Sequence, residues 1–429
     1  METTDSLVGN VEAYEPIVGE DYIAELKKMA HDLPIRRVFM VNSTKTQGGV
    51  AVLLQSIVPM LQSLGIETYW LELKAYTKFF ETTKSFHNGL QGEKFDNIEE
   101  HIAKYKSFYE NEVETYNKHI IDYLDGLGEG DIVIIHDPQP LGLIKYRNKD
   151  DGSKWIWRCH IDSSKPDQKL WDFVYSLASQ YDARIVSKEA FMHGDLSWVV
   201  IPPSIDPMTV KNRDMDPEKV VDILKTFNIP QDKPFAVQVS RLDKWKDPVG
   251  VIEAFRKARE EVDASLVLVY DGASDDPEGD MMFQKVLEAL EGKYSDDIYL
   301  IRGDKQEVVN TFQRAASVVF QKSLKEGFAL TVSEALWKAT PVIATEVGGI
   351  PLQVVHDKNG YLLPPYEMDV FDEKREAHID AAAHYLKEIL GNGMKAAEMG
   401  REAKEHVRKN FLVTRHVRDY LALIGSLMK

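Results

Sequence analysis

Apolar and polar positions along the chain fall into two successive runs in which short apolar blocks alternate with longer stretches of helical spacing. In the first run Arg37 to Val41 reads as a strand, Val50 to Leu64 as a helix and Thr68 to Leu73 as a second strand, which makes a βαβ unit. Four more strands follow at Asp131 to Ile135, Trp155 to Cys159, Asp182 to Val186 and Trp198 to Ile201. Between them, Tyr76 to Gly92 reads as a surface helix and turn, and Asn97 to Leu124 as one long amphipathic helix with a solvated charged face. The second run has strands at Pro234 to Val239, Leu266 to Val269, Ile298 to Ile301, Ser317 to Phe320 and Val342 to Ala344, and after Tyr361 to Leu363 the pattern is helical to the end.

The sequence Pro202-Pro203-Ser204-Ile205-Asp206-Pro207 cannot continue a central strand, so it is a stiff connector and the natural boundary between the two runs. The expected organisation is α/β throughout. Residues 1–35 form an N-terminal extension with one helix from Asp21 to His31, 36–205 a first domain, 206–410 a second, and 411–429 a helix long enough to cross back to the first. A chain of 429 residues suits two domains of roughly 200 residues each.

Candidate chemistry concentrates in Lys325 to Pro351. Glu326 and Gly327 stand in a loop after a buried strand, Phe328 to Lys338 has helical spacing, and Glu334 falls inside that helix. Eight positions at ~1.5 Å of rise separate the two carboxylates by roughly 12 Å, beyond the ~5–9.5 Å of paired glycosidase carboxyls. They suit two ends of one long ligand whose negative middle lies over the N–H groups of the helix start. Acidic residues in first helical turns are also common for their own stability, but a strand–loop–helix junction is where open α/β sheets place ligands. Other strand ends carry polar groups in the same way. His136, Asp137 and Gln139 follow one strand, His160 and Asp162 another, and Arg241 and Lys246 a third, where a guanidinium and an ammonium can neutralise a diphosphate. The structural alternative for the last two is pairing with Asp243 and Asp247. Gly48-Gly49 and Gly348-Gly349 mark places of close backbone approach. The carboxylate pairs Asp214/Asp216 and Asp275/Asp276 raise a metal question, but two carboxylates in a polar linker usually face solvent, so no metal is expected.

Composition narrows the classes. The net charge of -17 argues against nucleic acid and anionic membranes as partners, so a bound phosphate must be met by a few local cations. A single cysteine, Cys159, excludes an intrachain disulfide and fits a reducing cytoplasm. No apolar stretch approaches the ~20 residues of a membrane span, and Met1 to Asn10 does not read as a signal peptide.

Together these pieces resemble the retaining glycosyltransferases of the GT-B fold, two Rossmann-like doubly wound domains facing a central cleft, and within them the trehalose glycosyltransferring synthases. Gly48-Gly49, Ser240-Arg241 with Lys246, the pair Glu326 and Glu334, and Gly348-Gly349 are general to that superfamily. Asn42-Ser43-Thr44, Ser85-Phe86-His87-Asn88, His136 to Pro140, Arg158 to Asp162, Pro202 to Pro207 and Asp275 to Gly279 resemble the trehalose-forming group. The resemblance implies a nucleoside diphosphate glucose donor, with UDP-glucose, ADP-glucose and GDP-glucose as the candidates to test, and free glucose as acceptor, giving trehalose with no cofactor and no metal. By the same resemblance Arg241 and Lys246 neutralise the diphosphate, Glu334 holds the ribose, Glu326 contacts the donor glucose, and Gly327, Phe328, Ala329 and Leu330 offer backbone to sugar or phosphate. Gly48 and Gly49 also fall on the donor side, and His160 sits at the reacting centre. His87, Asp137, Gln139, Arg158 and Asp162 are the acceptor-side set. Two departures stand out: Asp247 follows Lys246 where many relatives carry Gly or Asn, and Gln47 precedes the double glycine where close relatives often have another Gly. A trehalose phosphorylase using inorganic phosphate, and a non-catalytic sugar or nucleotide sensor, are the alternatives. The nucleotide base and self-association into a homodimer stay open.

Overall fold

The computed structural model describes residues 7–46, 48–194, 197–271, 277–366 and 373–429; Gln47 and the Asp275-Asp276 pair lie outside the described residues. The chain divides into two compact units, Met1–Asp206 with Val413–Lys429, and Pro207–Leu412. Each is built on one six-stranded sheet in which every pairing is parallel.

The first sheet consists of β1 (Arg37–Asn42), β2 (Glu67–Glu72), β3 (Asp131–His136), β4 (Lys154–Arg158), β5 (Ala183–Val186) and β6 (Trp198–Val200), in the order β2-β1-β3-β4-β5-β6. Its central strands are apolar on both faces because helices cover both, as a parallel sheet requires; β3 is buried along its whole length. Asp131, at the start of β3, is fully buried and accepts from Arg36 Nε at 2.8 Å and Arg37 Nε at 3.1 Å, which anchors the entry to β1.

Two expectations are corrected here. Tyr76 to Gly92 is a helix, Thr77–Leu90, but not a surface one: Phe79 and Phe86 are buried in the core, against Tyr105 and Phe108. Asn97 to Leu124 is not one helix. It breaks at Glu112 into Ile98–Asn111 and Val113–Leu124. The second of these is itself kinked at Asn117, buried and non-helical (φ −126°), whose side chain accepts from Lys74 N and donates to Lys74 O, both at 2.7 Å. A buried amide that satisfies two backbone groups just past β2 outweighs a continuous helical ladder.

The extension is likewise part of the first unit. Its helix Glu20–Asp32 packs on the C-terminal helix Val413–Leu427, and the Tyr14 hydroxyl donates to Asp206 Oδ2 at 2.9 Å. That C-terminal helix is bonded to the proline-rich connector: Arg415 Nη2 donates to Pro202 O at 2.7 Å, Val413 N to Ile205 O at 3.0 Å, and His416 Nδ1 lies 2.9 Å from Ser204 Oγ.

The second sheet consists of β7 (Phe235–Arg241), β8 (Ser265–Asp271), β9 (Ile298–Arg302), β10 (Val318–Gln321), β11 (Val342–Thr345) and β12 (Gly360–Leu363), in the order β12-β11-β10-β7-β8-β9. Connections run one way from β7 through β8 to β9, then return past β7 to β10 and run the other way. The carboxyl ends of β7 and β10 therefore flank the crevice at which an open α/β sheet takes a ligand. Its core is a separate apolar cluster that includes Ile252, Phe255, Leu268, Phe320, Ile343 and Leu386. Among the described residues, no helix is long and apolar enough to cross a membrane.

Candidate active site

In the second unit the groups singled out from the sequence converge on the β7/β10 crevice. Arg241 ends β7, and its exposed guanidinium lies 3.3 Å from Asp243 Oδ2. The short turn Lys244–Lys246 then leads to Asp247. Lys246 does not pair with the neighbouring Asp247. Its Nζ instead forms an ion pair with the Glu326 carboxylate, each side chain about one-sixth exposed. Gln321 Nε2 and Ser323 Oγ also approach that carboxylate, at 3.5 and 3.4 Å. Burial pushes the Asp243 carboxyl up from its ordinary value, while Lys246 and Arg241 draw it down and Glu326 adds to the rise. Asp243 thus lies within the field of the other three charged groups.

The helix that carries Glu334 spans Leu330–Trp337 and begins at a strained residue. Ala329 adopts the left-handed conformation (φ 67°), which costs a residue with a Cβ about 1 kcal/mol or more and is held only by its surroundings. Those surroundings are the Gly348-Gly349 loop. Gly349 N donates to Gly327 O at 2.9 Å, and Gln353 Nε2 donates to Phe328 O while its Oε1 accepts from Ser333 Oγ at 2.6 Å. Gly348 itself has φ 52°, and a Cβ there would collide with the Glu326 carbonyl. The close approach expected at this double glycine is therefore onto the backbone of Glu326 to Phe328.

A cavity of about 330 Å³ opens beside these elements, lined among others by Lys211, Ser240, Arg241, Tyr270, Asp304 and Glu334. Glu334 is 3% exposed and pairs with Lys211 Nζ at 3.3 Å. Beneath it lies Lys338, one helical turn on, which donates to Asn212 Oδ1 at 2.9 Å, Gln313 Oε1 at 3.0 Å and Glu334 O at 3.0 Å. Burial lowers the Lys338 ammonium to about 7, with Glu334 opposing the shift. A volume of this size suits a small molecule, and the largely polar lining suits a charged or hydroxyl-rich one.

In the first unit, β3 and β4 are neighbours in register, His136 opposite Arg158, so their polar ends stand side by side. Asp137 has φ 62° and its Oδ1 accepts from His160 N at 2.7 Å. His136 Nδ1 and His160 Nε2 lie 3.0 Å apart, with the rings stacked at 5.3 Å. Burial holds both imidazoles neutral, His136 down to about 3 and His160 well below its ordinary value, and the nearby Arg158 charge adds to this. Burial also raises the Asp137 carboxyl to about 6 against the opposing His160 N–H and Arg158.

Arg158, expected on the acceptor side, has no exposed surface: its Nη2 donates to Ser187 Oγ at 3.3 Å, and its charge opposes protonation of both imidazoles. Gln139 keeps a buried Oε1 without a hydrogen-bond partner, Asp162 accepts from Ser164 N at 3.0 Å, and His87 is half-buried on Thr77–Leu90. Gly48 and Gly49 are exposed and open the helix Gly48–Ser63, two residues before the expected start at Val50, Gly48 with φ 83°.

Of the carboxylates in the metal question, Asp214 and Asp216 have structural duties. Asp216 caps the helix Pro217–Thr226 through Glu218 N at 2.9 Å, and Asp214 pairs with Arg314 at 3.0 Å. Among the described residues no group of three or more His, Cys, Asp or Glu side chains is placed to hold a metal ion. Sequence reasoning missed Lys211, Lys322, Lys338 and Tyr366. Only Lys338 carried a signal, its i+4 spacing from Glu334 on one helical face.

Residues 40–193 match the profile of the trehalose synthase N-terminal domain, and residues 222–406 that of the glycosyl transferases group 1. The chain is 39% identical over 422 residues to the trehalose synthase of Pyrococcus horikoshii, covering 97% of this chain and 96% of that one. A trehalose phosphorylase of Pleurotus pulmonarius is more distant, 27% identical over 94% of this chain and 59% of its own length. The fold matches that of the sucrose-phosphate synthase of Thermosynechococcus elongatus, with TM-score 0.64 at 17% identity over 91% of this chain and 99% of that one. A near-full-length match at this identity, on two parallel six-stranded sheets of the GT-B glycosyltransferase fold, shows that the chain belongs to the trehalose synthase family of glycosyltransferases.

Proposed function

We propose that the protein transfers glucose from a nucleoside diphosphate glucose to free glucose, forming trehalose with retention at the donor anomeric carbon. The observation that carries this reading is the second-unit crevice, where Arg241 and Glu334 line one cavity and the Lys246–Glu326 pair stands next to it in the chain. Glu334 suits the ribose diol as a buried acceptor, and the two cations suit the diphosphate.

In this account the bond between the donor C1 and the diphosphate oxygen breaks, and the electron pair leaves with the diphosphate. Arg241 and Lys246 stabilise the charge that develops there, so the barrier falls without further groups. Glu326, released from Lys246 by the phosphates, accepts from donor glucose hydroxyls. The anomeric hydroxyl oxygen of the acceptor forms the new bond on the face from which the diphosphate departs, and its proton passes to the departing phosphate oxygen. Neutral His160, held by His136 and by Asp137, offers a fixed hydrogen-bonding group to the sugar at the reacting centre. No metal is assigned a step.

The test is incubation of the protein with glucose and UDP-, ADP- or GDP-glucose, followed by assay for a non-reducing disaccharide. Release of trehalose with stoichiometric nucleoside diphosphate supports the reading. Trehalose breakdown that depends on inorganic phosphate and ignores added nucleotide replaces it with a phosphorylase, and binding without turnover replaces it with a sensor.

A further inference from the structure

Asp247, one of the two departures in the sequence, has a partner in the fold that its neighbours in the chain do not suggest. It directly follows Lys246, adopts φ 41°, and caps the helix Pro248–Arg259 through Gly250 N at 3.0 Å. Its other carboxylate oxygen meets two groups from far along the chain: Lys322 Nζ, just past β10, and the Tyr366 hydroxyl. Lys322 Nζ and Tyr366 Oη lie 2.6 Å apart, and the ammonium stands 4.3 Å from the Tyr366 ring centroid. Lys322 has no exposed surface, and Asp247 and Tyr366 are buried with it. Gly250 is required at the helix start, since a Cβ there would enter the space taken by Asp247 Oδ2 and Lys322 Nζ.

A buried ion pair adds little net stability, because desolvation offsets most of the Coulomb gain; its better-supported use is to select one geometry. Here the geometry is that of two loops. Lys246 and Asp247 are adjacent on the loop after β7, and Lys322 and Glu326 lie four residues apart after β10. The ion pairs Lys246–Glu326 and Asp247–Lys322 therefore tie the same two loops at successive points, with the charges reversed between them. A backbone bond from Leu324 N to Trp245 O at 2.8 Å ties them a third time. The outer pair is partly exposed and can exchange partners with a ligand; the inner pair is closed off from water.

We propose that Lys322, Asp247 and Tyr366 form a positioning clamp for the donor site. When a diphosphate takes Lys246 from Glu326, the inner pair keeps the two loops in register, so that Lys246 stays aimed at the phosphates and Glu326 at the donor sugar. The clamp rests on the donor reading above, and none of its three residues touches the substrate.

The test uses the full chain and the variants Lys322→Met, Asp247→Asn, their combination, and Tyr366→Phe, with UDP and ADP binding followed by titration calorimetry alongside steady-state kinetics. Lys322→Met strands the Asp247 charge and is expected to weaken diphosphate binding and donor kcat/KM by about tenfold or more, with KM for glucose within about twofold of wild type. The double variant removes both charges, and Asn tolerates the left-handed conformation and caps as well as Asp, so it is expected to recover most of the loss. Tyr366→Phe should fall between, and it decides the matter if Lys322→Met does not fold. Wild-type diphosphate affinity in folded Lys322→Met or in Tyr366→Phe, a double variant no better than the single, or a parallel rise in glucose KM overturns the clamp while leaving the donor reading intact. A wild-type protein that binds neither nucleotide and makes no product overturns both.

Discussion

Replacing Glu334 with Gln removes one charge from the cavity wall without changing its shape, and the structure fixes what else responds. The carboxylate is buried, and its two charged neighbours differ in what they do when it is lost. Lys211 is 28% exposed and turns to water. Lys338 is held at about 7 against burial by Glu334. Without that carboxylate nothing comparable opposes burial, so Lys338 shifts further down, its neutral form is favoured and no uncompensated charge is stranded. The fold should therefore survive. A charge-assisted hydrogen bond contributes ~1.5–3 kcal/mol, and Gln turns one of the two ribose acceptors into a donor, so the donor should bind about ten- to one-hundred-fold more weakly. The ribose does not change during glucose transfer. The loss should therefore appear in donor KM and in UDP or ADP affinity by calorimetry, with kcat and glucose KM nearly unchanged. A fall in kcat at constant donor KM, or no change in either, refutes the assignment of Glu334 to the ribose.

Other perturbations report on separate parts of the account. Asp131→Asn should destabilise the first unit at neutral pH. Burial alone would raise the Asp131 carboxyl, but hydrogen bonds from Arg36 and Arg37 outweigh that and hold it at about 2. Its contribution is therefore present above about pH 4 and lost as pH falls from about 4 towards 2; denaturant melts of wild type and variant should converge over that window, and a constant difference contradicts the pairing. Gly348→Ala puts a Cβ at φ 52° against the Glu326 carbonyl, so a lower melting temperature together with a fall in donor kcat/KM is expected, and normal kinetics would show that this loop does not set the donor site. Turnover should persist after dialysis against EDTA, since Arg241 and Lys246 carry the phosphate charge in the proposed reaction; loss of turnover restored by a divalent ion would reassign that role.

Much of the architecture was legible because buried parallel strands write themselves as apolar blocks. All six strands of the first unit lie within a residue or two of the expected blocks, and Glu326 and Glu334 fall before and inside a helix as their spacing implied. The failures have local causes. The kink inside Val113–Leu124 goes with Asn117 reaching the backbone of Lys74, a contact across 43 positions that no periodicity encodes. The helix Thr77–Leu90 read as surface because its polar face is real, while the burial of Phe79 and Phe86 depends on aromatic partners from the next helix. At the candidate site, strand ends named Arg241, Lys246, His136 and His160, but partners were out of reach. Pairing with the nearest acid in the chain was right for Arg241 with Asp243 and wrong for Lys246, which takes Glu326 eighty positions away. Lys211 lies in a polar linker that looks like any other, and only the fold brings it to Glu334.

The central claim is that fixed cations of the second unit take up the charge of a departing diphosphate, and Arg241→Ala tests it most directly. The Arg241 side chain is 67% exposed and pairs with Asp243 two residues on, so the variant should fold normally. Steady-state transfer from UDP- or ADP-glucose to glucose should then show kcat reduced by about one-hundred-fold or more, as for loss of one preorganised charge-stabilising group, with glucose binding barely changed. Unimpaired turnover in folded Arg241→Ala would contradict the account.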